Sequence, residues 1–521
     1  MAAIPQLQNT PIDAIPGIVN HVKSTFLTHK TRSIEFRLVQ LRKLYWGLKD
    51  NADAIAAACK EDLGKGSFEA NLTELDFCTN TIIYDCNNLS KWAKDETAPD
   101  IPLANQLLRP KIRKDPMGTV LIIGTYNFPV NLTICPLAGA IAAGNTVVLK
   151  PSENAPNVAV VVQKIIEGYL DPSCYAVVQG AIPETTALLD QKWDKIFYTG
   201  GASVGTIIAK KAAETLTPVT LELGGKNPAI VTRNADTRLA ARRLLWGKIV
   251  NAGQVCISQN YTMVDKEVLD QFIAEMRTGM REFYPNGTRN TDDFGRIINN
   301  RQWQRLKKMV DDSKGNLVMG GEMDEADRYI EPTMILVDSL EDSLIVDESF
   351  GPLMPILPVD NLDEAIRIAN EVHATPLGLY PFGTKAETDR CLREIRSGGA
   401  SVNDGFMHGS LPTLAFGGVG DSGQGAYRGQ ASFDCFSHRR SITSTPGWME
   451  GMMSVRYPPY DGKLKKMRQM GDLKPNFDRE GRVKFSLFSY ILTLGARSKK
   501  GGLIRYLVVL LTALGLRQYF G

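Results

Sequence analysis

Cys256 lies in "NAGQVCIS" (251–258), between small and polar residues. A cysteine attacks a carbonyl only as its thiolate. Chemistry at this position therefore needs a group that ionises the thiol, a donor for the oxyanion, and a base that activates water for product release. Two stretches hold candidates. "LELGGKNP" ends an apolar run with Glu222, just before Gly224 and Gly225; burial there would raise a carboxylate into the range of a general base. "GTYNFP" places Asn127 just after the run that ends at Ile123, where a side-chain amide can donate to a developing alkoxide. Singly, each has a plainer reading: an inert thiol, a solvated glutamate at a strand end, a turn asparagine before Pro129.

A cofactor site is read from two further stretches. "GNTVVLKPSE" gives Lys150 and Glu153 after an apolar run, and "YTGGASVG" gives Gly200 and Gly205 between an apolar run and a helical pattern. Glycines at such a turn let a pyrophosphate approach a helix N-terminus. The pattern is not GxGxxG and alone fits an ordinary strand-to-helix turn.

The elements that must position these residues follow from periodicity. "TVLIIG" (119–124), "TVVLKP" (146–151), "YAVVQG" (175–180), "KIFYTGG" (195–201) and "VTLELGG" (219–225) are short apolar runs ending at glycine or a turn. Helical patterns lie between several of them, at 157–170 and 204–216. Alternation of this kind predicts an α/β fold with a parallel sheet covered on both faces and its ligands at the carboxyl ends of the strands. An earlier helix is expected through Ile34, Leu38, Leu41, Tyr45 and Leu48, with Ser33 as its N-cap. A second α/β region follows, entered by a helix over 236–250. After about residue 450 the chain reads as an irregular, basic strap.

Composition excludes several classes. Of 521 residues, 43 % are hydrophobic and 22 % charged, and the net charge is +3. This is ordinary soluble composition with no general affinity for nucleic acid. The eight cysteines are scattered, without CxxC or zinc-finger spacing, so reduced thiols and no metal site are expected. The N-terminus lacks the pattern of a secretory signal, and Asn71 and Asn131 in their Asn-Leu-Thr triplets read as chance matches. The last forty residues differ. From Arg482 onward there are seven basic residues and no acidic ones, around the apolar runs 485–496 and 503–516. Fourteen helical residues reach only about 21 Å, short of a ~30 Å hydrocarbon core. Insertion into one leaflet, aided by anionic lipid, is the expectation, and packing on the protein's own surface is the alternative.

"GTYNFP", "GNTVVLKPSE", "FYTGG…VG", "LELGGKNP", "NAGQVC", "DESFGP" and "FGGVGDSG" occur in the order found in aldehyde dehydrogenases. The resemblance covers roughly residues 20–460 and includes the 34-residue separation of Glu222 from Cys256. "KTRSIEFRLVQLRKL", "FSHRRS" and "VRYPPY" resemble the class 3 or fatty aldehyde branch, which includes fungal enzymes acting on apocarotenoid aldehydes. The resemblance implies an aldehyde dehydrogenase fold: a Rossmann-like cofactor domain (1–222, with 100–115 in a bridging hairpin), an α/β catalytic domain (223–430) and a bridging segment, which with the strap runs over 431–481; the basic apolar tail read above occupies 482–521. It implies Cys256 as nucleophile, Asn127 with the Cys256 N–H as oxyanion site, and Glu222 as hydrolytic base. Lys150 and Glu153 match residues that meet the adenine ribose, Gly200 and Gly205 the phosphate turn, Glu348 the nicotinamide-ribose carboxylate, and Phe350 the ring beside the nicotinamide. Gly201 stands where many relatives carry a serine or asparagine on the diphosphate, and Thr125–Tyr126 replace a common Pro-Trp. The implied reaction is oxidation of a long apolar aldehyde with NAD in preference to NADP. The resemblance implies a homodimer, and the scattered cysteines and the apolar tail add the expectation of a cytosol-facing membrane, of the endoplasmic reticulum, a lipid droplet or the outer mitochondrion. A CoA-acylating relative and a catalytically inactive scaffold are the alternatives; Glu222 speaks against the first and the intact trio against the second.

Overall fold

The computed structural model describes residues 4–101, 103–471, 475–483, 494 and 499–520. The chain divides into two compact units. One runs up to Glu96 and resumes over Ile112–Ser441; the other joins Thr97–Lys111 to the chain from Ile442 onward.

Two sheets organise the first unit. In the first, Val219–Glu222, Lys195–Thr199, Thr119–Ile123, Thr146–Lys150 and Tyr175–Val177 lie side by side in that order, all parallel. The strands are short and rich in β-branched residues because both faces are covered. Val120 and Ile122 enter one apolar core, while Leu121 and Ile123 enter another. The register sets Ile123 beside Lys150 and Tyr198, and Thr199 beside Glu222. The loops carrying Asn127, Lys150–Glu153, Gly200–Gly205 and Glu222 therefore leave the same edge of the sheet, the carboxyl edge expected to hold ligands. Gly423–Gln424 adds an antiparallel edge strand on Val219–Glu222, with Gly423 opposite Glu222. The "FGGVGDSG" stretch thus ends against the strand of the candidate base.

The second sheet has the order Asn316–Met319, Thr333–Leu336, Leu353–Val359, Tyr261–Asp265, Pro228–Val231, Gly378–Phe382, Gly399–Ala400. Only its first pair is antiparallel. A three-stranded sheet unites Glu96–Thr97, Lys111–Pro116 and Ser437–Ile442.

The expected helices form Ile34–Asp50, Pro156–Tyr169, Ala202–Ala213 and Thr237–Ile249. Ser33 caps the first, its Oγ accepting from the Phe36 N–H at 3.3 Å. A helix that periodicity does not mark, Asn131–Ala143, is buried on every side, so it shows no polar stripe to read. The basic stretch after 450 is less irregular than its prolines suggest: Leu464–Gly471 is helical, in keeping with the propensity of Leu, Lys, Met, Arg and Gln.

In the tail, the expected apolar run 485–496 lies outside the described residues except for Leu494. The run 503–516 is helical and belongs to a longer helix, Lys499–Phe520. Among the described residues no helix is long and apolar enough to cross a membrane.

Candidate active site

Cys256 follows a backbone turn that L-residues rarely adopt. Asn251, Ala252 and Gly253 all have positive φ, at 51°, 49° and 73°. Such a run of left-handed residues is costly and persists only when its surroundings hold it. The holding contacts are specific. The Asn251 N–H donates to Glu69 Oε1 at 2.7 Å, and Asn251 Nδ2 donates to the Asn127 carbonyl (2.7 Å) and the Gln254 carbonyl (3.0 Å). Gln254 Nε2 donates to the Asn251 and Arg296 carbonyls. A Cβ on Gly253 would lie 2.2 Å from the Gly351 carbonyl oxygen. The turn therefore packs backbone to backbone on the residue that follows Phe350. Beyond the cysteine, Asn227 Nδ2 donates to the carbonyls of Cys256 and Ser258, both at 2.8 Å, and the Tyr380 hydroxyl donates to the Ile257 carbonyl.

Asn127 is buried and its Nδ2 donates to the Gln254 carbonyl at 3.0 Å, two residues before the cysteine. A primary amide has two donor hydrogens, so one remains for an oxyanion. Its loop is clamped by a fully buried ion pair, with Lys65 Nζ 2.7 Å from Glu74 Oε1. Lys65 Nζ also donates to the Asn127 carbonyl at 3.3 Å, and Glu74 Oε2 accepts from the N–H groups of Val130 and Asn131 at 3.1 and 2.8 Å.

Glu222 ends its strand 2 % exposed, and neither carboxylate oxygen has a hydrogen-bond partner of normal geometry. Burial pushes its carboxyl well above the usual range, while the Arg428 guanidinium and the Gly418 N–H pull the other way. The Cys256 thiol is partly exposed, yet packing round it pushes it up to about 12. Glu348 and Glu222 push in the same direction and Arg428 opposes them. Burial thus favours the protonated form of each.

Glu348 lies against the turn after Glu222, since a Cβ on Gly224 would meet its Oε2 at 2.3 Å. Burial raises its carboxyl to about 7, against the Gly225 N–H, Arg305 and Lys248. Lys248 is itself lowered to about 7 by burial. Phe350, with φ 50°, sets its ring edge-on to Tyr126 at 6.0 Å, next to Asn127 in the chain.

The cofactor residues fit a dinucleotide. A Cβ would lie 2.2 Å from the Tyr198 hydroxyl at Gly200 and 2.8 Å from Leu223 Cδ2 at Gly205, so neither position has room for a side chain. Gly201 faces open space and precedes the helix Ala202–Ala213, whose N-terminal N–H groups suit a phosphate. Lys150 Nζ lies 2.5 Å from Glu153 Oε2 at the adjoining strand end. All ten residues singled out in the sequence thus border the carboxyl edge of one sheet or the nucleophile turn. Sequence reasoning missed Lys65, Glu74, Asn227, Lys248, Tyr380 and Arg428. Of these only Asn227 falls inside a quoted motif, and none carries a spacing that marks it.

The fold is a two-sheet α/β architecture that brings Cys256, Asn127 and Glu222 to the glycine-lined carboxyl edge of one sheet. Residues 2–442 match the aldehyde dehydrogenase family. Beta-apo-4'-carotenal oxygenase of Neurospora crassa is 53 % identical over 96 % of this chain and 95 % of its own length. The dimeric NADP-preferring aldehyde dehydrogenase of Rattus norvegicus is 39 % identical over 87 % of this chain and 99 % of its own. The substrate-bound structure of Staphylococcus aureus AldH superposes with a TM-score of 0.85 at 39 % identity, covering 87 % of this chain and 99 % of that one. The chain belongs to the aldehyde dehydrogenase family, and its likeness to family 3 members places it in the class 3 branch. It is an NAD(P)-dependent oxidoreductase acting on aldehydes.

Proposed function

We propose that this enzyme oxidises long apolar aldehydes, fatty or apocarotenoid, to carboxylic acids, and that it prefers NAD to NADP. The observation that carries the chemistry is Cys256 on a braced left-handed turn, with the buried Asn127 amide bonded two residues before it and the buried Glu222 carboxyl acting on its thiol. As the thiol proton passes to water, sulfur bonds to the aldehyde carbon. The carbonyl electron pair moves to oxygen, where the Asn127 amide and the Cys256 N–H receive it. Lys150 and Glu153 would hold the adenine ribose, the Gly200–Gly205 turn the diphosphate, and Glu348 with Phe350 the nicotinamide end. Nicotinamide dinucleotide, when bound, supplies the hydride acceptor. The oxidised substrate is then a thioester on Cys256. Glu222 takes a proton from water as the water oxygen bonds to the acyl carbon; the C–S bond breaks and the acid leaves.

An apolar substrate is supported by two features. Tyr126, Phe128 and Phe406 are half-buried in the same apolar core as Cys256. The helix Lys499–Phe520 exposes Leu503, Ile504, Leu507, Val508, Val509, Leu510 and Leu511 to solvent, and apolar surface of that extent is typical of a membrane contact. Basic residues beside it suit an anionic surface. On this reading the enzyme is a homodimer whose residues 1–222 carry the cofactor and 223–430 the nucleophile, held on a cytosol-facing membrane by 482–521. The name of the Neurospora relative supports an apocarotenoid aldehyde. Removing residues 501–521 should leave turnover of short soluble aldehydes intact, abolish flotation with anionic liposomes, and slow turnover of long aldehydes presented in vesicles. A truncated protein that floats as well as the full chain overturns the membrane assignment. A substrate panel with equal kcat/KM for short and long aldehydes overturns the substrate class.

A further inference from the structure

We propose that Arg428 is the positioning residue on whose positive charge the ionised forms of Cys256 and Glu222 both depend. This rests on the reading of those two residues as nucleophile and base. Arg428 follows the "FGGVGDSG" stretch, within "GAYRGQ". It is 7 % exposed, and its Nε and Nη1 are buried without a hydrogen-bond partner among the described residues. Burial of a cation in that condition is costly unless something later meets the charge.

The backbone holds the guanidinium inside. Arg428 has φ 82°, a left-handed conformation unusual for a side chain of its size. Its N–H donates to Ser432 Oγ at 2.7 Å, and the preceding Tyr427 bridges to Phe416 through paired backbone hydrogen bonds of 2.8 Å. The guanidinium carbon lies 4.3 Å from the ring centre of Phe416, 4.8 Å from Phe77 and 5.6 Å from Tyr427. Aromatic faces partly offset the lost hydration. A Cβ on Gly409 would sit 3.8 Å from Arg428 Nη1 and 2.5 Å from Ile257 Cδ1. The unpartnered side of the guanidinium thus lies alongside the residue that follows Cys256.

The ionisable groups around it leave it the task alone. Glu222, Glu348, Tyr380 and Tyr427 are negative or neutral, and burial drives His408 down to about 4, so that it is neutral at working pH. Lys248, lowered to about 7, loses its charge as pH rises. A guanidinium keeps its charge throughout. It also has two charges to meet in turn. Attack needs the electron pair of the S–H bond on sulfur. Hydrolysis returns a pair to sulfur as C–S breaks, and needs Glu222 ionised beforehand to take the water proton.

The test uses the full-length protein without cofactor or aldehyde, so it stands apart from the substrate assignment. Alkylation of Cys256 by iodoacetamide is followed by peptide mass mapping from pH 6 to pH 10, in the parent, Arg428→Lys and Arg428→Gln. The glutamine variant should react about tenfold more slowly at each pH below the thiol midpoint, the effect of an opposite charge removed from close range. The lysine variant should match the parent within about threefold at pH 6, where a lysine buried like Lys248 keeps its charge, and fall roughly tenfold below it by pH 8.5. Parent-like rates in both variants, or equal losses in both at every pH, overturn the proposal; the second result would assign Arg428 to packing of its aromatic cage. Should the glutamine variant not fold, the lysine variant decides by itself, since a ratio to parent that is flat with pH overturns it.

Discussion

Lys65 and Glu74 are fully buried, and each is hydrogen-bonded. Lys65 serves Glu74 and the Asn127 carbonyl, and both oxygens of Glu74 accept bonds. Glu222 and Arg428 are buried nearly as deeply, yet among the described residues both carboxylate oxygens and two guanidinium nitrogens lack a hydrogen-bond partner of normal geometry. Lys65 and Glu74 hold the Asn127 loop, which bonds to the turn before Cys256, while Glu222 and Arg428 act on the Cys256 thiol itself. A satisfied buried pair fixes geometry and has little left to give a substrate. An unsatisfied one keeps a standing cost that charge, water or substrate can relieve. On the proposed reading, the difference separates the residues that place the reaction from those that act on its charges. It can be read from hydrogen bonding alone.

The largest break falls on Cys256 itself. Cys256→Ala should lower aldehyde oxidation by more than about 10⁴-fold, because no other group forms the covalent adduct. Cofactor affinity, measured by fluorescence titration, should stay within about twofold, since the turn is held by Asn251, Gln254 and Asn227 and not by the sulfur. Retention of a few per cent of turnover removes Cys256 from the role of nucleophile.

Next is Glu222→Gln, for which roughly a thousandfold loss of steady-state rate is expected. The adduct should still form and then persist, visible as an acyl mass increment after mixing with aldehyde and cofactor. Burial raises the Glu222 carboxyl, so the base is ionised only above that raised value. Release in the parent should therefore quicken as pH rises and slow as pH falls. In the glutamine variant that pH dependence should vanish. Equal steady-state rates in variant and parent would clear Glu222 of any part in release.

The satisfied set breaks differently. Glu74→Gln leaves Lys65 buried without its carboxylate and should cost about 3 kcal/mol of stability in denaturant unfolding. The double change Lys65→Met with Glu74→Leu should recover only part of that stability, because the buried charge is gone while the Val130 and Asn131 N–H groups still lack an acceptor. Its activity should stay low, because the Asn127 loop has lost its clamp. A double variant that regains both stability and rate would show that the ion pair does not position the oxyanion donor.

Sequence carried the strand ends well and the turn between them poorly. Apolar runs stopping at glycine foretold the parallel sheet, and Asn127, Lys150, Gly200 and Glu222 fell at its carboxyl edge as expected. Period and composition are local, and a doubly covered strand announces itself locally. The helix Asn131–Ala143 was invisible because burial on every side removes the polar stripe that marks a helix. The left-handed backbone of Asn251 and Ala252 was also unreadable, since neither residue demands it; contacts with Glu69, Asn127 and Gly351 impose it. Lys65, Glu74 and Arg428 act across separations of tens to hundreds of residues, and no spacing rule in one sequence exposes such partners.

The smallest expected effect lies at the cofactor, where a paired residue and a recognising residue are the same. Glu153 has both roles on this reading. Its carboxylate holds Lys150 Nζ at 2.5 Å and stays about a third exposed, while Lys150 is nearly buried. A ribose 2′-hydroxyl can donate to that carboxylate. A 2′-phosphate would meet it as like charge, and Lys150 is already occupied. Glu153→Gln removes the repulsion and frees Lys150, so kcat/KM for NADP relative to NAD should rise. Exposure lets solvent screen the pair, which keeps the expected change to about tenfold. The change should appear in KM for the cofactor and leave kcat nearly constant, because the adenine ribose takes no part in chemistry. It should shrink as ionic strength rises from 0.02 to 0.5 M, as screening shortens the reach of the charge. A parent that already uses both cofactors equally would show that Lys150 faces the ligand despite its pairing. Glu153 would then belong with Glu74, as a residue whose bonds are spent on holding a neighbour in place.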